Sequence, residues 1–176
     1  MAIALRTPRL LLREWRDADD APFLAMSAEP AMSEHLPAGD AAWVARARGQ
    51  WTEHGFGQFV VELPGDAPLI GVVGLIDIPA DYPCAPGIHV TWRLAPPYWG
   101  KGYALEAARA AIEDGFARLH LAEIAAITTP ANRRSWEVME RLGMAHDPAD
   151  DFDHPRYPPG HRLRRHVLYR IRGPAG

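Results

Sequence analysis

The residues with the clearest chemical potential lie in the stretch from His89 to Ala108, which reads HVTWRLAPPYWGKGYALEAA. Gly100 and Gly102 let the backbone approach a ligand without a Cβ in the way, and they precede a predicted helix whose first amides have no intrahelical acceptor. A helix N-terminus carries about +0.5 of an elementary charge, which favours phosphate oxygens. The stretch therefore predicts a site that holds an anion through main-chain groups.

Two common phosphate-binding motifs do not fit this glycine turn. A P-loop needs a glycine five residues before Gly100 and a Ser or Thr after the lysine, whereas Gly102 follows Lys101. A dinucleotide-binding fingerprint needs its third glycine at Leu105, and no βαβ unit begins the chain. Because a glycine turn of this kind is often only a turn, its interpretation depends on the rest of the chain.

The turn resembles the acetyl-CoA pyrophosphate loop of the GNAT acetyltransferase superfamily, in particular the branch of the ribosomal-protein N-terminal acetyltransferases. The similar residues are Tyr98-Trp99-Gly100-Lys101-Gly102-Tyr103-Ala104, followed by Glu106-Ala107. Three further segments match the family in the same order: TPRLLLR at 7–13, PANRRS at 130–135 and RLGM at 141–144. The resemblance covers about Thr7 to Arg172, so it implies a single N-acetyltransferase domain over residues 7–172.

The resemblance also implies how acetyl-CoA, the cosubstrate, would be held. Its pyrophosphate would take the amides of Gly100, Lys101, Gly102, Tyr103 and Ala104, and its pantetheine arm would lie beside the strand segment Trp92, Arg93 and Leu94.

Asn132 and Ser135 match the family's N-x-x-S, in which the asparagine contacts the cofactor and the serine hydroxyl lies near the thioester sulfur. Ser135 is therefore the candidate acid for the leaving thiolate. The alternative is that Ser135 only satisfies amides at the start of its helix.

A second catalytic candidate is His89. An amine acceptor is mostly protonated at neutral pH and needs a base. Relatives often carry a glutamate three residues before the tryptophan of this strand, whereas this chain carries His89 there. Histidine has a reference pKa of about 6.5, which suits the task. The alternative is a histidine that is packed or faces solvent.

We expect an acyl-CoA-dependent N-acyltransferase that transfers an acetyl group to a primary amine, on a protein N-terminus or a small molecule, by direct attack in a ternary complex. The departure at His89 keeps a second interpretation open, a non-catalytic acyl-CoA-binding sensor or interaction module. A third is a structural α/β domain whose glycine turn binds nothing. Turnover and stabilisation by CoA would separate the three, because a ligand stabilises the fold that binds it.

Hydrophobic periodicity predicts the elements that position these residues. Strands are expected at 9–15, 59–63, 69–78, 87–94, 123–129 and 166–172, and helices from Asp17 or Asp19 to about 28, at 40–54, at 104–119 and at 133–142, where Gly143 ends the last one. The predicted fold is α/β, with a GNAT-like mixed, mostly antiparallel sheet and helices on both faces. The resemblance adds a V-shaped splay between two central strands.

Composition limits the remaining possibilities. The chain has 176 residues and a net charge of -3, so it fits one domain and gives no reason to expect nucleic-acid binding. We expect a cytoplasmic protein without membrane partners, because no apolar run approaches about 20 residues and the N-terminus does not resemble a signal peptide. The single cysteine, Cys84, allows no intrachain disulfide and sits in a loop without an obvious base.

The late loop at 147–165 is rich in Asp, Pro and His. Its histidines match no standard zinc spacing, so no metal is expected. The resemblance makes Asp151, Asp153 and His154 candidates for contacting a cationic acceptor, although such loops are often only solvated. The oligomeric state could be a monomer or a homodimer. A homodimer is possible because the strand at 166–172 could present an edge to a partner.

Overall fold

The computed structural model describes residues 3–34 and 39–174. Nine strands within these residues form a sheet: β1 (Ala4–Arg6), β2 (Leu11–Arg13), β3 (Gln58–Leu63), β4 (Ala67–Asp77), β5 (Ile88–Leu94), β6 (Glu123–Thr128), β7 (Ala145–His146), β8 (Phe152–Asp153) and β9 (Arg165–Arg172). The α-helices are α1 (Asp20–Ser27), α2 (Ala41–His54), α3 (Tyr103–Ala117) and α4 (Arg133–Arg141). Within the described segments, no helix is both long enough and apolar enough to cross a membrane.

The sheet is mixed and mostly antiparallel, as the sequence predicts. Its order is β1-β2-β3-β4-β5-β6-β9-β7, and β8 pairs with β9 off this path. Among these neighbours only β5 and β6 run parallel, joined through α3. Their register contains a single pair, His89 with Ala125. Beyond that pair the two strands part, which confirms the V-shaped splay.

Helices cover both faces of the sheet. Val72 of β4 lies in a buried cluster with Phe23 of α1 and Val44 of α2. The next residue, Val73, lies in the main core cluster with the alanines of α3. Since successive strand residues point to opposite faces, these two clusters lie on opposite sides of the sheet.

Helix α3 packs closely on the sheet because its buried face is built of small residues. Ala107, Ala108 and Ala111 are at most 1% exposed. A Cβ placed on Gly115 would come within 2.7 Å of Leu75 Cδ1 and 2.9 Å of Ile124 Cδ1. The close approach fixes the start of α3 relative to the end of β5.

Some local features differ from the sequence-based expectation. The first predicted strand is shorter and is preceded by β1, whose three residues are too few to show an alternation. Asp19 precedes α1 as predicted, but its side chain caps no amide of that helix; it accepts from Arg16 N at 2.7 Å and from Arg13. The carboxylate instead closes the preceding turn and neutralises a buried guanidinium.

The prediction of an edge strand at 166–172 is wrong. Strand β9 pairs with β6 along one side, and β7 and β8 pair with its other side. Strand β8 lies in the segment 147–165 predicted to be loop, and β7 lies just before it. Two-residue strands carry no periodicity, so the sequence offers no signal for them.

Candidate functional site

A cavity of about 640 Å³ opens where β5 parts from β6. Four segments line it: Ala31, Met32 and Glu34 after α1; Trp92, Arg93 and Leu94 at the end of β5; residues 98–105 without Lys101; and the start and outer face of α4. The sequence-predicted residues of the glycine turn and of the N-x-x-S motif therefore lie around one space.

The glycine turn places uncapped amides in the wall of this cavity. Gly100 has a φ of 72° and Gly102 a φ of 79°, both in the left-handed region that favours glycine. Gly102 is the N-cap of α3 and offers no side-chain cap, and the first helical bond runs from Glu106 N to Gly102 O. The amides of residues 103–105 therefore lack intrahelical acceptors, which suits an anion.

Arginines rather than lysine supply positive charge at this cavity. Arg133, Arg134 and Arg141 line it, and the guanidinium of Arg134 lies 4.5 Å from the ring centre of Trp99. Lys101 is absent from the lining residues, and its Nζ lies over Tyr98. The charge of Lys101 is therefore not part of the cavity wall.

Asn132 and Ser135 begin α4 at the opposite wall. Asn132 Oδ1 accepts a hydrogen bond from Ser135 N at 3.4 Å, and its Nδ2 donates to Thr128 Oγ1 at 3.0 Å. The asparagine thus caps α4 and ties it to the end of β6. This arrangement holds the start of α4 beside the gap between the parting strands.

The Ser135 hydroxyl has a partner that the sequence did not reveal. Trp92 Nε1 donates to Ser135 Oγ at 3.3 Å, across 43 residues of chain. An indole N–H is a donor only, so this contact leaves the serine proton available for another acceptor. Ser135 and Trp92 both line the cavity, so the hydroxyl lies in the wall formed by β5 and α4 and can donate its proton to a molecule bound there.

His89 lies at the vertex of the splay, in the single pair that joins β5 to β6. Its side chain is buried, neither ring nitrogen has a hydrogen-bond partner among the described residues, and it is not part of the cavity lining. Burial lowers the pKa of His89 to about 4. The imidazole is therefore neutral at pH 7, and protonating it would bury an uncompensated charge.

The polar side chains of the late loop contact residues that lie outside the cavity lining. His154 Nε2 lies 2.6 Å from Tyr82 Oη, and Asp153 forms an ion pair with Arg164 at 2.9 Å. Asp151 lies 2.8 Å from His146 Nε2. The structure thus does not bring Asp151, Asp153 or His154 to the cavity lining. Among the described residues, no group of three or more His, Cys, Asp and Glu side chains is arranged to hold a metal.

Comparison with known proteins adds independent evidence. A family model described as "Acetyltransferase (GNAT) domain" matches residues 9–145. The "Uncharacterized N-acetyltransferase YnaD" of Bacillus subtilis (strain 168) is 31% identical over 146 residues, which cover 80% of this chain and 81% of that protein.

Two solved structures share the fold over nearly their whole length. The ribosomal-protein-S5-alanine acetyltransferase of Vibrio fischeri has a TM-score of 0.77 at 21% identity and covers 98% of this chain and 97% of its own. The spermidine N-acetyltransferase of Vibrio cholerae, in complex with CoA and spermine, has a TM-score of 0.73 at 19% identity and covers 94% and 96%. At these identities the similarity shows only that the fold is shared.

Proposed function

The chain belongs to the GNAT acetyltransferase family, and from this premise we propose that it transfers the acetyl group of acetyl-CoA to a primary amine by direct attack in a ternary complex. The observation that carries the proposal is one cavity lined by two kinds of chemical group. The uncapped start of α3 lies in its wall, and so does Ser135, whose hydroxyl accepts from Trp92 of β5. Such a space suits a molecule with a diphosphate at one end and a thioester at the other.

In this proposal the amides of residues 100–104 hold the diphosphate, with Arg133, Arg134 and Arg141 nearby as further cations. The backbone of β5 holds the pantetheine arm. Ala95 N donates to Ile70 O on the β4 side. Backbone groups of successive strand residues point alternately to the two neighbouring strands, so those of Trp92, three residues earlier, point away from β4 to the side where β6 has moved away. Trp92 thus has a donor and an acceptor available to an amide of that arm.

Ser135 acts as the general acid. The acceptor nitrogen attacks the thioester carbonyl carbon, the C–S bond breaks, and Ser135 donates its proton to the departing thiolate. The hydrogen bond from Trp92 supports this role because it occupies a lone pair of Oγ and leaves the O–H free to point at the sulfur. The proton that the amine loses goes to a base or to water, and a proton returned through water restores the Ser135 hydroxyl.

His89 as that base stays a prediction. Its neutral imidazole has the right protonation state at pH 7, but it would have to receive the proton through water, since it lies behind the cavity lining. If His89 is the base, His89→Gln lowers kcat and removes the acidic limb of the pH-rate profile. An unchanged profile in His89→Gln ends this role without affecting the fold.

The test of the activity is thiol release from acetyl-CoA with a panel of amino-terminal peptides, polyamines and aminoglycosides. Turnover with any acceptor, lowered at least about tenfold in kcat by Ser135→Ala with little change in CoA affinity, supports the proposal. The matched control is Ser27→Ala, a buried serine of α1 outside the cavity lining.

One observation favours a second candidate, an acyl-CoA-binding module without turnover. The position at which relatives often carry a glutamate holds a buried histidine with no hydrogen-bond partner among the described residues. Tight CoA binding without thiol release, unchanged in Ser135→Ala, would favour that module over the enzyme.

A further inference from the structure

Glu106, in the first turn of α3, is held by the loop between β1 and β2. Its Oε1 accepts from Thr7 Oγ1 at 2.6 Å and from Arg9 N at 2.9 Å. Its Oε2 lies 2.6 Å from both Nε and Nη2 of Arg9. A segment almost 100 residues away in the chain thus fixes the helix that begins at the glycine turn.

The position of this carboxylate creates an electrostatic problem for an anion site. A helix N-terminus favours negative charge, and Glu106 already supplies one there. Burial alone would raise the pKa of Glu106, but the hydrogen bonds from Thr7 and Arg9 hold it below its ordinary value, so the group is ionised at neutral pH. Without a cation beside it, Glu106 would repel a diphosphate bound at the amides that begin α3.

Arg9 supplies that cation and also contacts the glycine turn itself. Its Nη1 donates to Lys101 O at 3.0 Å, and its guanidinium lies 4.5 Å from the ring centre of Tyr103. The C=O and the following N–H of a trans peptide point in opposite directions. Holding Lys101 O toward Arg9 therefore turns the amide of Gly102, a cavity-lining residue, away from Arg9.

We propose that Arg9 is a positioning residue for the donor site: it neutralises Glu106 and fixes the Lys101–Gly102 peptide in the orientation that receives a diphosphate. The inference rests on the proposed function, since it assumes that CoA binds at this turn. Arg9 acts through Glu106 and Lys101 and takes no part in the acyl transfer. A direct contact between Arg9 and a phosphate is the competing explanation, and it makes a different prediction for a double variant.

The experiment is calorimetric titration of CoA into the full chain and three variants, Arg9→Met, Arg9→Lys and the double variant Arg9→Met/Glu106→Gln. We expect Arg9→Met to weaken CoA binding at least about tenfold, because Glu106 is left uncompensated. Arg9→Lys keeps the charge but loses the planar guanidinium, so its affinity for CoA should fall between those of the wild type and Arg9→Met. The double variant regains at least about threefold over Arg9→Met, because the repelling charge is gone.

The matched control is Arg118→Met, which breaks an arginine–carboxylate pair with Asp114 at the other end of the same helix. It is expected to lower the melting temperature without changing the Kd for CoA. In turnover, Arg9→Met should raise the KM for acetyl-CoA and leave kcat within about twofold, a split that a general loss of folding does not produce.

Three results decide the matter. Unchanged CoA affinity in Arg9→Met overturns the positioning role and leaves the proposed function standing. A double variant that binds no better than Arg9→Met overturns the neutralisation of Glu106 as the role of Arg9 in CoA binding. A wild-type chain that does not bind CoA overturns the proposed function and this inference together.

Discussion

Replacing His89 is expected to remove a pH-dependent loss of stability. Burial lowers the pKa of His89 to about 4 in the folded chain, whereas histidine titrates near 6.5 when unfolded. As the pH falls, the unfolded chain therefore binds this proton first. The stabilisation is fully present above pH 6.5 and is lost progressively as the pH falls toward about 4.

The two pKa values set the magnitude. At 1.36 kcal/mol per unit of pKa, the full loss below pH 4 is about 3 kcal/mol. At pH 5 the wild-type free energy of unfolding should be about 2 kcal/mol lower than at pH 7.5 on account of His89 alone. Burial also lowers the pKa of His154 and His166, so the total decrease is larger. The contribution of His89 is the difference between wild type and variant.

The assay is urea denaturation at pH 7.5 and pH 5 of wild type, His89→Gln and the control His54→Gln, which replaces an exposed histidine of α2. We expect His89→Gln to lose about 2 kcal/mol less than wild type between the two pH values, and His54→Gln to behave like wild type. Equal losses in wild type and His89→Gln would refute the argument that the imidazole is buried uncharged.

Four further substitutions test the site and the core. Gly102→Val should weaken CoA binding at least about tenfold by calorimetry, because a φ of 79° strains a branched residue, whereas Lys101→Ala should change it less than about threefold. Asp19→Ala should lower the free energy of unfolding in urea by about 1–3 kcal/mol, because the buried guanidinium of Arg13 loses two hydrogen bonds and one of its two carboxylate partners, while Glu62 remains. Gly115→Val should cost at least about 1–3 kcal/mol in the same assay, since its Cβ would overlap two core side chains.

Specific results would contradict these expectations. A larger effect of Lys101→Ala than of Gly102→Val would mean that a side chain, not the backbone, holds the diphosphate. A loss below about 1 kcal/mol in Asp19→Ala would mean that Glu62 alone compensates the charge of Arg13. Full stability in Gly115→Val would mean that α3 can move away from the sheet.

Local features of the fold were accessible from the sequence because they are encoded within a few residues. The two left-handed glycines, the uncapped start of α3 and the residue Gly143 after α4, which has a φ of 78°, follow from residue type and spacing. The splay between two central strands followed from the family resemblance. Two-residue strands such as β7 were missed because they depend on pairing with β9 rather than on their own pattern.

The side-chain contacts of the site were not accessible in this way. Trp92 and Ser135 each stood out by motif, but their hydrogen bond joins a strand to a helix 43 residues away. The bond between Arg9 and Glu106 spans 97 residues. The sequence marked His89 by its departure from the family pattern, but it contained no sign that the imidazole is buried and lies outside the cavity lining. Such contacts depend on how the sheet brings distant segments together.

The most direct test of the donor site is a crystal structure of the chain grown with CoA. We expect the diphosphate within hydrogen-bond distance of the amides at residues 100–104, and the thiol beside Ser135 in the gap between β5 and β6. A diphosphate bound elsewhere, or a glycine turn closed by the protein's own side chains while CoA lies at another surface, would contradict the account.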